Sequence, residues 1–568
     1  MLNNASEKTL ARLIYIGVPL TSVFILTGTV SDPVNVTKLV VATIIAFAVL
    51  AIVLSSGLKF LWKVSKLFTI SAVLLLITML SASIASESAF VTNLYGISGR
   101  NTGLLAYFSF LSLALGAALL NEKKSFERLV VGLLVAGAAN VIYCLWAWQV
   151  GDFISWNNPF GTILGTFGNP NFISSFLGIF ISATTSYLIL ARNKIIIKVF
   201  AALFILIAFL EVLHTHSIQG VVVTGIGLAY NGFLFVRSKT KTNLWSFSYL
   251  VAATFTGVLA VAGMLQIGPL TKFLYKTSVS LRGEYWQAGI NMGQSHPLTG
   301  IGMDGYGNLY RQARDASALI LPGVTVITNA AHNVVVDFFA YGGYPLLIAY
   351  LFFLFFGVKS IVAVILRSRD FNPVFAALSV SWLCYQAQSI ISINQIGLAI
   401  WGWVLTGALV GYEYSTRASL KADKEPARTG KSPSQSNRQS NFSPTLIAGL
   451  GAIIGALIAI PPYNADLSWR NALGSQNLTQ VEKALTPSYM TPSDSARLAS
   501  AVKLLEQAKL FDQSYKYAKY AVEFNPNYFD AWKILYYVSK STPEDKKMAL
   551  ENLKRLDPLN PDVLAVPK

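Results

Sequence analysis

Leu281-Arg282-Gly283-Glu284-Tyr285-Trp286, His296-Pro297-Leu298-Thr299-Gly300-Ile301-Gly302 and Ala331-His332-Asn333 punctuate residues 268–345, the one long break in an otherwise apolar chain. On both sides, runs of about 20 apolar residues follow one another, each long enough to cross a hydrocarbon core as a helix. The break concentrates cations, aromatics and glycines, and its last motif runs straight into a new apolar segment. The reading that follows is all-α: a polytopic bundle of about 12–13 transmembrane helices carrying a large extracytoplasmic loop at 268–332. Composition agrees, because 54% of the 568 residues are hydrophobic and only 12% are charged. A soluble domain carries roughly 25% charged residues.

Apolar spans are expected near 11–30, 38–56, 67–83, 103–120, 129–150, 171–191, 199–213, 219–236, 246–266, 333–357, 372–391, 396–412 and 444–462. The formal charge of +17 would point a soluble chain toward nucleic acid. Here nucleic acid is excluded as a partner, because the cations sit in short connecting loops. Lys59, Lys63 and Lys66 share one loop; Lys123, Lys124 and Arg128 another; Arg192, Lys194 and Lys198 a third. Arg237, Lys239 and Lys241, then Lys359, Arg367 and Arg369, continue the alternation, whereas 31–37 and 151–170 contain no Lys or Arg. The positive-inside rule places the N-terminus in the cytoplasm and 268–332 outside. An odd number of spans puts the C-terminus outside as well. Cys144 and Cys384 lie in apolar runs and form neither a disulfide framework nor a metal site.

The chain divides into a membrane domain at 1–412, a Ser-, Lys- and Arg-rich disordered cytoplasmic linker at 413–443, a further span at 444–462 and a charged segment at 464–568. Within the last, helices are expected at 494–510, 512–524, 528–539 and 543–556. Ser514, Ala518, Ala521 and Pro526 have the spacing of a tetratricopeptide repeat's second helix, and Asn525-Pro526 recurs as Asp557-Pro558. Such a domain is either a plain helical cap or a surface for an envelope-assembly protein.

Gly99-Arg100-x2-Gly103, Gly165-Thr166-Phe167-Gly168-Asn169-Pro170-Asn171, Arg282-x3-Trp286, Pro297-Leu298-x-Gly300-x-Gly302 and Ala331-His332-Asn333 followed by Gly342-Gly343 occur in this order. Together, over residues 90–412, they resemble the O-antigen ligase and polymerase superfamily of bacterial envelope glycosyltransferases. The resemblance implies a multi-pass protein of the bacterial cytoplasmic membrane. It implies a polyprenyl-diphosphate-linked glycan donor, an acceptor hydroxyl on a glycan, lipid or protein, and no metal or other cofactor. Cationic forks suit a diphosphate, and a neutral imidazole suits deprotonation of a hydroxyl. Arg282 and His332 are therefore the expected catalytic pair. Arg100, Asn169, Asn171, Gln219, Trp286, Arg311, Arg314 and Asn333 are the candidates for donor and glycan contacts. Plainer alternatives stand beside several of them: Arg282 as a snorkelling interfacial arginine, His332 as a satisfied structural histidine, Arg100 as a solvated loop arginine, Asn169 and Asn171 as a helix cap and turn, Asn333 as a cap, Arg311 and Arg314 with Asp315 as a loop ion-pair cluster. One departure stands out. In Ser217-Ile218-Gln219-Gly220 an amide occupies the place of a cation common in the family, and Arg100, Lys272 or Lys276 must then supply the charge. A transporter is the rival from another class, but its expected intramembrane charges are nearly absent: Glu211 lies near a span's outer end. A scaffold built on the C-terminal repeats leaves the arginine-rich loop unexplained.

Overall fold

A computed structural model describes residues 4–154, 158–275, 277–422, 442–475 and 477–565. Among the described residues the chain is all-helical, and ten helices there are long and apolar enough to cross a membrane: Asn35–Val64, Lys66–Ile84, Lys123–Gln149, Pro170–Ile189, Ile195–His214, Ile218–Lys239, Asn243–Met264, Val334–Arg367, Ile396–Ser419 and Pro444–Ser475. The other three expected spans are also helices, Asn4–Val23, Leu104–Ala117 and Pro373–Ser389. The first carries Glu7, Lys8 and Arg12, and the others are shorter than a straight crossing of a bilayer requires. Helices prevail because a lipid-exposed backbone must satisfy its own N–H and C=O groups.

Capping fixes where several helices begin. The Asn169, Asn333 and Asn372 side chains accept hydrogen bonds from the first-turn N–H groups of the helices that follow them, and Pro170 and Pro373 occupy first helical positions. Small residues fix how close two helices come. Gly451 and Gly455 bring the Pro444–Ser475 helix onto Asn35–Ile52, where a Cβ at Gly451 would meet the Phe47 carbonyl oxygen at 2.4 Å.

Two expected boundaries need correction. The Ile396–Ala422 helix continues into the segment expected to be a linker from 413, held there by Arg367 on Glu413 and by Arg417 on the same carboxylate one turn away. Residues 423–441, the rest of the expected linker, lie outside the described residues, as does Lys276. The helix expected to end at 462 runs unbroken to Ser475, despite Pro461 and Pro462. Its last turns, through Trp469 and Ala472, supply part of the C-terminal domain's own core, so the membrane helix doubles as that domain's first element.

The C-terminal helices are Ser495–Gln507, Phe511–Phe524, Phe529–Tyr537 and Pro543–Leu556, arranged as two hairpins. Ser514, Ala518 and Ala521 are buried among them. The 268–332 region is itself largely helical, with Thr277–Ser295 and Tyr306–Ala313 the principal pieces.

Candidate functional site at the loop end of the bundle

The loop is anchored by a break in the longest helix. Within Val334–Arg367, Gly342 (φ −141°) and Gly343 (φ +62°) leave helical geometry, which frees the carbonyls of Ala340 and Tyr341. The Pro297–Gly302 motif takes them: Ile301 and Gly302 donate their N–H groups to Ala340 and Tyr341 at 3.0 Å each. In return, Tyr344 donates to the Pro297 carbonyl at 2.9 Å. The glycines are required sterically, since a Cβ at Gly343 would stand 2.2 Å from the Pro297 oxygen and one at Gly300 would stand 2.3 Å from the Tyr341 carbonyl. Two motifs 40 residues apart in sequence are thus halves of one backbone joint.

That joint sets up the chemistry. Arg282, on the Thr277–Ser295 helix, is only 8% exposed and makes no ion pair among the described residues. Burial pulls its pKa below the usual guanidinium value, with Tyr285 opposing. His332 sits in left-handed backbone (φ 57°) immediately before the Asn333 cap, and its ring lies 5.6 Å from that of Tyr285. Burial, then the charges of Arg282 and Arg100, push the imidazole down to about 4, so it is neutral at pH 7. Tyr306 and Tyr310 extend the aromatic cluster, with ring centroids 6.1 Å apart and Tyr310 5.9 Å from Tyr285.

Arg100 belongs to the same electrostatic group and is held by fixed partners. Its guanidinium pairs with Asp304 at 3.3 Å, donates to Thr102 and to the Asn329 carbonyl, and keeps a buried Nε without an acceptor. Asp304 is fully buried in left-handed backbone (φ 57°) and also accepts from the Ile97 N–H at 2.8 Å. Burial raises its carboxyl pKa against the opposing Arg100 charge. Asp337, one turn into the long helix, accepts from the Ala331 N–H at 2.7 Å and thereby fixes the backbone beside His332. Arg100 also lines an open cleft of about 730 Å³, shared with Asn35, Asn169, Asn394, Gln395 and Arg470.

The other expected contacts fall in three groups. Asn169 is the cap of its helix and faces the cleft. Asn171 accepts from the Ser217 hydroxyl at 2.7 Å, and buried Gln219 donates to the Ile391 carbonyl at 3.0 Å while its oxygen has no donor. These two amides tie the Pro170–Thr184, Ile218–Lys239 and Pro373–Ser389 helix ends together. Asn333 is occupied as a cap, accepting from Val335 and Val336. Trp286 packs against the core with its buried Nε1–H unpartnered.

Arg311 and Arg314 both pair with Asp557 of the C-terminal domain, at 3.1 and 2.8 Å, and Arg314 is fully buried there. Their proximity in sequence to the loop motifs concealed a partner more than 240 residues away. Conversely, Tyr285, Tyr306, Tyr310 and Asp337 were passed over as site residues. The signal available for Asp337 was an acidic residue in the first turn of an apolar span, which lipid does not tolerate without purpose.

Residues 202–351 match the family model described as O-antigen ligase. No curated protein matches the chain. The matched segment contains Arg282, the Pro297–Gly302 motif, His332 and the glycine break, the same parts that assemble the buried cationic site. Over that segment the chain is similar to the O-antigen ligase family, and its ten long apolar helices fit a multi-pass membrane protein.

Proposed function

We propose that the chain transfers a glycan from a polyprenyl diphosphate to an acceptor hydroxyl at the outer face of the bacterial cytoplasmic membrane, polymerising repeat units of a surface polysaccharide. The observation that carries this is Arg282: a buried guanidinium with no anionic partner among the described residues, beside a neutral His332 and within the field of Arg100. An uncompensated buried charge costs several kcal/mol, and a diphosphate arriving from the lipid boundary supplies the missing anion.

In the reaction, the acceptor oxygen bonds to the donor's anomeric carbon as the bond from that carbon to the diphosphate oxygen breaks. The electron pair leaves on the polyprenyl diphosphate, where Arg282 and Arg100 stabilise the developing charge. The hydroxyl proton passes to His332. Burial, and then the two arginines, make His332 a weak base on its own. A bound diphosphate opposes the arginines' field and raises the proton affinity of the imidazole, so basicity increases when the donor is present. Tyr285 and its stacked neighbours offer ring faces against which sugar C–H surfaces pack.

Topology supports the outward placement. Arg237, Arg367 and Arg369 lie at the ends of their helices opposite to the site, as the positive-inside rule requires if the site faces out. On that reading the N-terminus is cytoplasmic and the C-terminal hairpins are extracytoplasmic, where they act as a tetratricopeptide-like platform for an envelope-assembly partner. Arg282→Ala and His332→Ala should each abolish transfer while leaving membrane insertion intact; wild-type product from either variant removes that residue from the mechanism. Glycan-size profiling of a deletion strain separates polymerisation from ligation. Loss of long chains, with single units still attached to acceptor, supports polymerisation. Accumulation of unattached polymer refutes it in favour of ligation to lipid, protein or wall.

A further inference from the structure

A second basic cluster lies at the far end of the bundle. The Ile218–Lys239 and Val334–Arg367 helices both begin on the side of the candidate site and end at a cleft of about 330 Å³ lined by Arg237, Arg367 and Arg369. Nothing in glycan transfer uses it.

The three arginines are not equivalent. Arg367 is neutralised by Glu413, which also receives Arg417. Arg237 and Arg369 have no carboxylate within ion-pair distance among the described residues. Instead, both donate to one neutral oxygen, Asn243 Oδ1, Arg237 from 3.0 Å. Their remaining bonds go to main-chain carbonyls, Arg237 to Ile365 at 2.8 Å and Arg369 to Thr240 at 2.9 Å. The Arg237 Nε–H is buried with no acceptor among the described residues. Asp370 lines the cleft mouth but is exposed and forms no ion pair among the described residues. Two like charges converging on an amide oxygen repel each other, and an anion between them relieves that repulsion.

The cleft walls identify the anion's carrier. Leu234, Ile365, Phe371 and Phe375 line it beside the arginines, and its position at the helix ends sets it at the membrane boundary. A free phosphate gains nothing from apolar walls, whereas a diacyl lipid lays its glycerol and first methylenes against them. Basic pockets between transmembrane helices are a recurrent form of anionic-headgroup site. We propose that Arg237 and Arg369 bind the phosphate of an anionic phospholipid in the leaflet opposite the glycan-transfer site.

The test uses the full chain in zwitterionic detergent, titrated with short-chain phosphatidylglycerol, short-chain phosphatidylcholine or inorganic phosphate, with the thermal midpoint as readout. Phosphatidylglycerol should bind wild type with a preference over phosphatidylcholine of about fivefold for each arginine engaged. Arg237→Gln and Arg369→Gln keep a donor for the carbonyls and should each remove about one such factor. Both arginines also bridge helix ends, so a second variant guards against misfolding: Ser368→Glu places a carboxylate at the exposed mouth and should abolish the preference with both arginines intact. Equal affinity for the two lipids in wild type, or an unchanged preference in all three variants, overturns the site. Stabilisation by inorganic phosphate without lipid selectivity overturns the lipid assignment in favour of a soluble anion.

Discussion

Asp557→Asn is the substitution with the most far-reaching expected effect, because a single carboxylate joins the C-terminal domain to the site loop. Asp557 is fully buried, lies 2.8 and 2.9 Å from Arg314 Nη2 and 3.1 Å from Arg311 Nη1, and accepts from the Asn560 amide at 3.0 Å. Arg311 also stacks over Phe529 at 4.4 Å. The amide replacement preserves shape but leaves two guanidinium groups facing a neutral partner, one of them fully buried. Breaking a buried pair from one side costs about 3–5 kcal/mol, which shifts the docked-to-undocked equilibrium by about two to four orders of magnitude. Arg314 also donates to the Val324 carbonyl at 2.9 Å, so undocking releases the segment that leads to Ala331 and His332. Hydrogen exchange across 306–332 and 556–565 should therefore accelerate together, and transfer should fall. A triple replacement, Arg311→Met, Arg314→Met and Asp557→Leu, removes all three charges and should recover most of the stability. Wild-type exchange in Asp557→Asn, or a triple variant no more stable than the single one, refutes the argument that these charges hold the domain in place.

Four further outcomes are expected. Between pH 6.5 and 4 the unfolded chain protonates His332 while the folded site does not, so stability from this residue is present above about pH 6.5 and declines as pH falls toward 4; the loss is about 2–3 kcal/mol. Thermal midpoints against pH should show this slope in wild type and lack it in His332→Asn. Gly343→Ala adds a Cβ 2.2 Å from the Pro297 oxygen, whereas Gly28→Ala, at φ +80°, meets nothing within 4 Å. Both carry backbone strain of about 1–3 kcal/mol, and thermal melts should show a clearly larger loss at Gly343. Asp304→Ala strands the Arg100 guanidinium, so donor affinity should weaken as transfer drops; unchanged kinetics would detach this pair from the site. A cysteine placed at exposed Ser317 should react with a membrane-impermeant thiol reagent added outside whole cells, and protection there would reverse the proposed orientation.

Apolar run length made the membrane helices legible, because hydrocarbon thickness imposes a length that composition alone satisfies. The ends of helices were less legible. The Pro444–Ser475 helix was expected to stop where its apolar run stops, yet Trp469 and Ala472 find a second core to join, and only tertiary structure reveals that. The site shows the same division. Arg282 and His332 are legible as candidates because a cationic or titratable side chain bordering an apolar run stands out without coordinates. Arg311 and Arg314 share that chemistry, and what separates them from Arg282 is Asp557, distant in sequence and invisible to local spacing.

The glycine motifs show why order mattered more than any single match. Pro297-Leu298-x-Gly300-x-Gly302 has no reactive atom, and Gly342-Gly343 alone is a helix flaw. Joined, they exchange three backbone hydrogen bonds at a break in a helix long and apolar enough to cross a membrane, to the 340 and 341 carbonyls and from Tyr344. A helix break at that depth is tolerated only where protein satisfies the freed groups, so the loop motif and the break require each other. This joint pins the middle of the 268–332 segment, and Asp337 with the Asn333 cap fixes its return. Arg282, on the helix leading into the joint, and His332, just before the cap, are thereby held close enough for the guanidinium to lower the imidazole's proton affinity beyond what burial does. Cleaving the joint should therefore abolish transfer even with both residues intact, which separates positioning from chemistry: Gly300→Ala should lose turnover and site-loop protection together, whereas Arg282→Lys should lose turnover with protection unchanged.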